Sequence, residues 1–141
     1  MSSPQNDNLI DQYVQIMQMM TSAQVAHRLG SLVQPDVSFH DPRFSAQGPD
    51  ELAAAMASLF DRTEGITIRI TDRAWGQDGH TVYLRWDRLL KFSGGSTHGY
   101  SGISEVMIGT SGKIASILDH WDGADHVLPK RPRLLGRFFQ R

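Results

Sequence analysis

The sequence predicts an α+β fold in which N-terminal helices pack on one face of a curved antiparallel sheet. Three observations lead there. Apolar residues recur at three- and four-residue spacing over residues 8–20, the period changes to two from Ile66 onward, and Gly-rich turns divide the second half into four long strands. At 141 residues with a formal charge of −1, the chain is expected to form one domain with one core.

The first helix is read from Leu9, Ile10, Tyr13, Ile16, Met17 and Met20, which share a stripe and put Tyr13 on the buried side. Thr21 and Ser22 suit the cap of a second, shorter helix through Val25, Ala26 and Leu29, with Gly30 as its stop. Val37 to His40 alternates as a short strand. Asp41-Pro42 must leave it, because proline offers the ladder no donor and keeps the preceding residue out of the helical region. Gly48-Pro49-Asp50-Glu51 opens a third helix whose apolar residues are Leu52, Met56, Leu59 and Phe60.

Ile66, Ile68 and Ile70 then alternate with Thr67, Arg69 and Thr71 in a half-buried strand. Gln77-Asp78-Gly79-His80 turns the chain into Val82, Leu84 and Trp86, which alternate with Tyr83, Arg85 and Asp87. Ser93-Gly94-Gly95-Ser96 and Gly109-Thr110-Ser111-Gly112 bound a third strand over about 98–108, and residues 114–121 make a fourth.

Composition removes several chemistries. Without Cys there is no disulfide framework, no thiol nucleophile and no thiolate-bound metal. No apolar run reaches membrane-spanning length and the N-terminus lacks a signal peptide's pattern, so a cytoplasmic protein is expected. There is no His-Glu-x-x-His, no phosphate-cradling Gly loop before a helix and no Gly-x-Ser-x-Gly elbow, so neither a metal nor another cofactor is expected. Charge is unevenly placed: six acids face two arginines in residues 1–60. The segment at about 129–141 holds Lys130, Arg131, Arg133, Arg137 and Arg141 beside Leu134, Leu135, Phe138 and Phe139. Such a tail suits an anionic surface or packing against the domain or a second subunit. A near-neutral chain without a nucleic-acid motif argues against nucleic acid and membrane as partners.

Phe39-His40-Asp41-Pro42 before the Gly48-led helix, Gly112-Lys113-Ile114, and Asp119-His120-Trp121-Asp122 together resemble the nuclear transport factor 2-like superfamily, in its SnoaL-like and ketosteroid isomerase-like branches. The resemblance spans almost the whole chain. It implies a cystatin-like cone-shaped roll holding an apolar small molecule, commonly as a homodimer through the outer sheet face. It also implies cofactor-free isomerase, cyclase or dehydratase chemistry, or a binding or dimerisation domain without turnover. By that resemblance Asp41 corresponds to the proton-moving base, Tyr13 to the helix-borne oxyanion donor and Asp119 to the acid/base of the last strand. The second oxyanion donor falls on Ser104, one residue from the carboxylate of Glu105.

Residue chemistry supports the same set. A carboxylate at the wall of an apolar cone is desolvated toward a pKa useful for proton transfer, which applies to Asp41 and Asp119. Phe39, Trp86, Tyr100 and Trp121 would supply apolar walls, and His98 shares a strand face with Tyr100 and Ser104. Each has a plainer role too. Asp41 suits a turn, Asp119 a structural hydrogen bond, and the aromatics the core.

Overall fold

Ser3 and Pro4 start the first helix four residues before the apolar stripe does. In the computed structural model, which describes residues 2–20, 26–61 and 63–122, the Ser3 hydroxyl accepts from the Asn6 amide at 3.1 Å, Pro4 occupies the first turn, and α1 runs Pro4–Gln18. It buries Leu9, Ile10, Tyr13 and Met17. Three side-chain contacts pin it across the sheet. Asn6 Nδ2 donates to the Gly79 carbonyl at 3.1 Å, Arg73 pairs with Asp11 at 2.8 Å, and Gln18 Oε1 accepts from the Ile70 amide at 2.9 Å. The last contact satisfies a backbone donor where the ladder between the third and fourth strands slips its register.

The expected second helix is only partly within the described residues, because 21–25 lie outside them. Its remainder is a 3-10 turn, His27–Ser31, with Gly30 inside it and Leu29 buried. β1 spans Val33–His40, beginning four residues earlier than the alternation suggests. Pro35 lacks a ladder donor and sits where the pairing with the last strand is irregular, between Val33 and Ser38. β2, Ser45–Gln47, is a three-residue strand that turns back on β1. α2, Pro49–Ala57, starts at Gly48, whose φ of 86° is natural only for glycine, and Asp50 and Glu51 occupy its first turn. Leu59 and Phe60 fall in a 3-10 turn, Ser58–Asp61, beyond the helix they were expected to extend.

β3 (Gly65–Trp75), β4 (Thr81–Lys91), β5 (Thr97–Ile108) and β6 (Ile114–His120) form the long meander. The six-stranded sheet has the order β2-β1-β6-β5-β4-β3. It is mixed, correcting the expectation of an antiparallel sheet: β1 and β6 run parallel, because the chain crosses over through α2 and the meander before β6 re-enters beside β1. The helices cover the inner face, where Val82, Leu84, Leu90, Val106, Ile108 and Ile117 pack with Ile10, Leu52 and Met56. The outer row carries Tyr83, Leu89, Ile103, Met107 and Leu118, all exposed. Among the described residues no helix is long and apolar enough to cross a membrane. The basic segment at about 129–141 lies outside the described residues.

Gly102 fixes the packing of the inner face. It sits opposite Trp86 in the β4–β5 register, and a Cβ there would overlap the Trp86 indole and meet the His120 carbonyl oxygen at 2.6 Å. The indole occupies the space a side chain would take. Gly102→Ala is expected to destabilise the fold by about 1–3 kcal/mol through overpacking. Urea unfolding checks this, and an unchanged midpoint would show that the indole has room to move.

Candidate functional site

The alternation of β4 puts Val82, Leu84, Trp86, Arg88 and Leu90 on one inward row, so an arginine lies in an otherwise apolar stripe. Its side chain is 4% exposed. A guanidinium that far from water needs compensating partners. The neighbouring strands supply them. Tyr100, directly opposite on β5, accepts from Arg88 Nη1 at 3.3 Å through its hydroxyl. Asp119 on β6 approaches Arg88 Nη2 with Oδ2 at 3.5 Å, and the Trp86 ring lies under the guanidinium, 4.2 Å from Cζ to the ring centroid.

Asp119 is held from its other side. Ser104 faces it across the β5–β6 ladder and donates from Oγ to Asp119 Oδ1 at 2.5 Å, while Trp86 Nε1 donates to Ser104 Oγ at 2.9 Å. The result is a directed chain from Trp86 through Ser104 to Asp119, with Arg88 closing it toward Tyr100. Burial pushes the Asp119 carboxyl above the ordinary carboxylate range, and Arg88 and Ser104 pull it back only in part. For Arg88, burial opposes the charge, but Tyr100, Asp119 and Tyr13 outweigh it and the guanidinium stays protonated.

Tyr13 on α1 and Asp41 at the end of β1 feel the charges of this pair. Tyr13 is 2% exposed; burial raises its phenol far above the usual range, the Asp119 charge raises it further, and Arg88 works the other way. Its hydroxyl is therefore neutral and able to donate. Asp41 closes the β1–β2 turn: Oδ1 accepts from the Arg43 amide at 2.8 Å and the Phe44 amide at 2.9 Å, and its own amide donates to the Phe44 carbonyl at 3.0 Å. Both backbone bonds fall on Oδ1, so Oδ2 is not consumed by the turn. Burial lifts Asp41 to about 6; the two amides lower it, the Asp119 charge raises it and Arg88 lowers it. Asp41 thus closes the turn with one oxygen while its carboxyl stays above the ordinary carboxylate range.

Other expected residues divide. Trp121 is buried, its ring 5.0 Å from that of Tyr100, and Trp86 meets Tyr100 edge to face at 5.7 Å. Phe39 packs on Phe44, 5.3 Å between ring centroids, as core beneath the Asp41 turn. His98 has the inward parity but is half-buried near the start of β5 and takes no part in the network. Glu105 faces outward, since β5 has no bulge there, and pairs with His120 at 3.1 Å. Where the pairing of β5 with β6 ends at Ile103 and His120, a cleft of about 530 Å³ opens, lined by Tyr100, Gly102 and Trp121 together with outer-row Arg85, Ile103 and His120. It reaches Tyr100 and Trp121 but is not lined by Tyr13, Asp41 or Asp119. Among the described residues no three His, Asp or Glu side chains converge into a metal-binding group.

Arg88 is the residue that reading the sequence missed. The signal was present in the parity of Val82, Leu84 and Trp86, which extends by one step to Arg88.

The pattern that defines the SnoaL-like domain matches residues 12–117. This chain belongs to the SnoaL-like family. No curated protein matches this SnoaL-like chain. Among solved structures it is similar to an NTF2-like protein of unknown function from Exiguobacterium sp. 255-15, with 20% identity, 81% of this chain and 98% of that chain covered, and a TM-score of 0.69. It is also similar to a proposed isomerase of the SnoaL-like family from Agrobacterium tumefaciens, with 17% identity, coverage of 86% and 100%, and a TM-score of 0.66. A proposed SnoaL-like polyketide cyclase from Jannaschia sp. CCS1 shares 12% identity, with coverage of 86% and 90% and a TM-score of 0.70. At these identities the likeness concerns the fold.

The raised Asp41 pKa makes a stability prediction. Between its unfolded value of 3.8 and about 6, the folded chain binds more protons than the unfolded one, so Asp41 makes stability fall as pH rises through that window and level off above it. Asp41→Asn keeps the oxygen that accepts both amides and removes the charge. It is expected to remove that slope and to be more stable than wild type by about 2 kcal/mol at pH 7.5. Urea unfolding from pH 4 to 7.5 checks it, and equal slopes in both proteins would mean that Asp41 titrates normally.

Proposed function

We propose that this SnoaL-like protein binds a small molecule and moves a proton at a carbon next to a carbonyl without a cofactor, as an isomerase, cyclase or dehydratase does. The observation that carries this is Asp41, a carboxyl near pH 6 whose Oδ1 is fixed by two amides and whose Oδ2 is outside the turn. At pH 7 it is ionised roughly ten to one, yet basic enough to accept a proton. In the proposed step Asp41 takes the proton from the α-carbon, the C–H pair forms the enolate, and the charge collects on the carbonyl oxygen. Tyr13 donates to that oxygen beside the positive charge of Arg88. Asp41 then returns the proton to a second carbon or to a leaving oxygen.

Asp119, with both oxygens engaged, is a positioning residue in this account: it holds Arg88, and its charge adds to the burial that keeps Asp41 high. The proposed isomerase and the proposed polyketide cyclase among structures of this fold support the same class of chemistry. A binding domain without turnover is the other reading, and it is favoured by the same engagement of Asp119, since a carboxylate used up by Ser104 and Arg88 serves packing equally well.

The test is loss of α-hydrogen signal from cyclic ketones incubated with the protein in D2O, followed by proton NMR. Wild type is expected to accelerate exchange above buffer and Asp41→Asn to lose roughly 100-fold or more. Exchange at the wild-type rate in Asp41→Asn would remove Asp41 as base. A bound ketone that exchanges no faster than in buffer would leave the binding domain.

A further inference from the structure

Two buried N–H groups on the inner face have no acceptor among the described residues: Arg88 Nε and Trp121 Nε1. Both belong to side chains almost wholly removed from water, and both flank Tyr100, Arg88 through its hydroxyl at 3.3 Å and Trp121 through ring contact at 5.0 Å. Buried donors in folded proteins find partners as a rule, so a pair left open on one wall among the described residues is a place where a ligand's acceptors can be received. Asp119 does not fill the role. Its Oδ1 is tied to Ser104, and its Oδ2 reaches Arg88 only at the outer limit of a hydrogen bond, on Nη2.

We infer that the site takes a flat acidic ligand, whose delocalised oxyanion places its two acceptor oxygens on Arg88 Nε and Trp121 Nε1. The inference deepens the proposed function by naming the substrate class of the same site. A carboxylate and the enolate of a 1,3-diketone share this chemistry, and the planar guanidinium edge is suited to either. Tyr100 and Trp121 line the cleft with aromatic walls, and Arg88 lies behind Tyr100, bonded to its hydroxyl.

A second anion there is opposed by Asp119 and drawn by Arg88, and the cleft beside Tyr100 and Trp121 adds Arg85, His120 and Asp122 at its wall.

Titration calorimetry of the full chain with 2-naphthoate, with dimedone as the vinylogous acid and with uncharged 2-naphthamide tests this at pH 7.5. At least one acid is expected to bind roughly tenfold or more tightly than the amide, and which acid it is separates carboxylate from enolate. Trp121→Phe keeps the ring, removes the donor, and is expected to shrink the preference severalfold; Arg88→Lys should shrink it further where it folds. Equal affinity for acids and amide, no binding of either acid, or an unchanged preference in Trp121→Phe overturns the inference. Ketone exchange is read separately: exchange that depends on Asp41 without acid preference defeats the ligand class alone, and acid preference without exchange defeats the proton transfer alone.

Discussion

A single arginine placed in an apolar strand row constrains most of what surrounds it. Arg88 occupies a position where Val82, Leu84 and Leu90 otherwise make the inner surface of β4 oily. Stripping a guanidinium of water is costly, and the cost falls when hydrogen-bond acceptors, an opposite charge and an aromatic face are close by. Each of these comes from a different strand position: Trp86 two residues back on β4, Tyr100 opposite on β5, and Asp119 on β6. Ser104 and Gly102 are consequences of that arrangement. One ties Asp119 to the Trp86 indole, and the other vacates the volume that the indole fills.

The same charge couples the sheet to the elements that cover it. Arg88 lowers both Asp119 and Asp41, but burial outweighs it at each, and the Asp119 charge adds to the raised Asp41. Tyr13 can face the pair only because α1 is fixed along its length, by Asn6 to the β3–β4 turn, by Asp11 to Arg73 and by Gln18 to Ile70. The exposed Asp11 pair adds little by itself, whereas Asn6 and Gln18 satisfy backbone groups that have no ladder partner. At Asp41, backbone bonding to one oxygen orients the carboxylate, and burial keeps its proton affinity high.

Much of this was legible in the residues themselves. Period-two alternation placed the four long strands and put Trp86 with Val82 and Leu84, Tyr100 with Ser104, and Asp119 with Trp121 on shared faces. The helical stripe put Tyr13 on the buried side. What the pattern missed has local causes. Ser3 and Pro4 begin α1 before any apolar residue, so periodicity starts too late to see them. β2 is three residues long, below the length at which alternation means anything, and the parallel pairing of β1 with β6 is a tertiary choice that no local signal carries. Arg88 escaped because charge is read as outward unless parity is extended past Asp87. His98 shows the limit of parity in the other direction: its face is inward, but near the start of β5 that face is only half covered.

The claim that burial raises Asp41 and the network of Arg88 and Asp119 adjusts it is tested most directly by carbon-13 NMR titration of the Asp41 side chain, in wild type and in Asp119→Asn of preserved spectral dispersion. The account predicts a wild-type midpoint of about 6, and in the variant a lower midpoint that stays above 3.8, because the neighbouring negative charge is gone while burial remains. A wild-type midpoint close to 3.8, or one that does not move when Asp119 is neutralised, would contradict it.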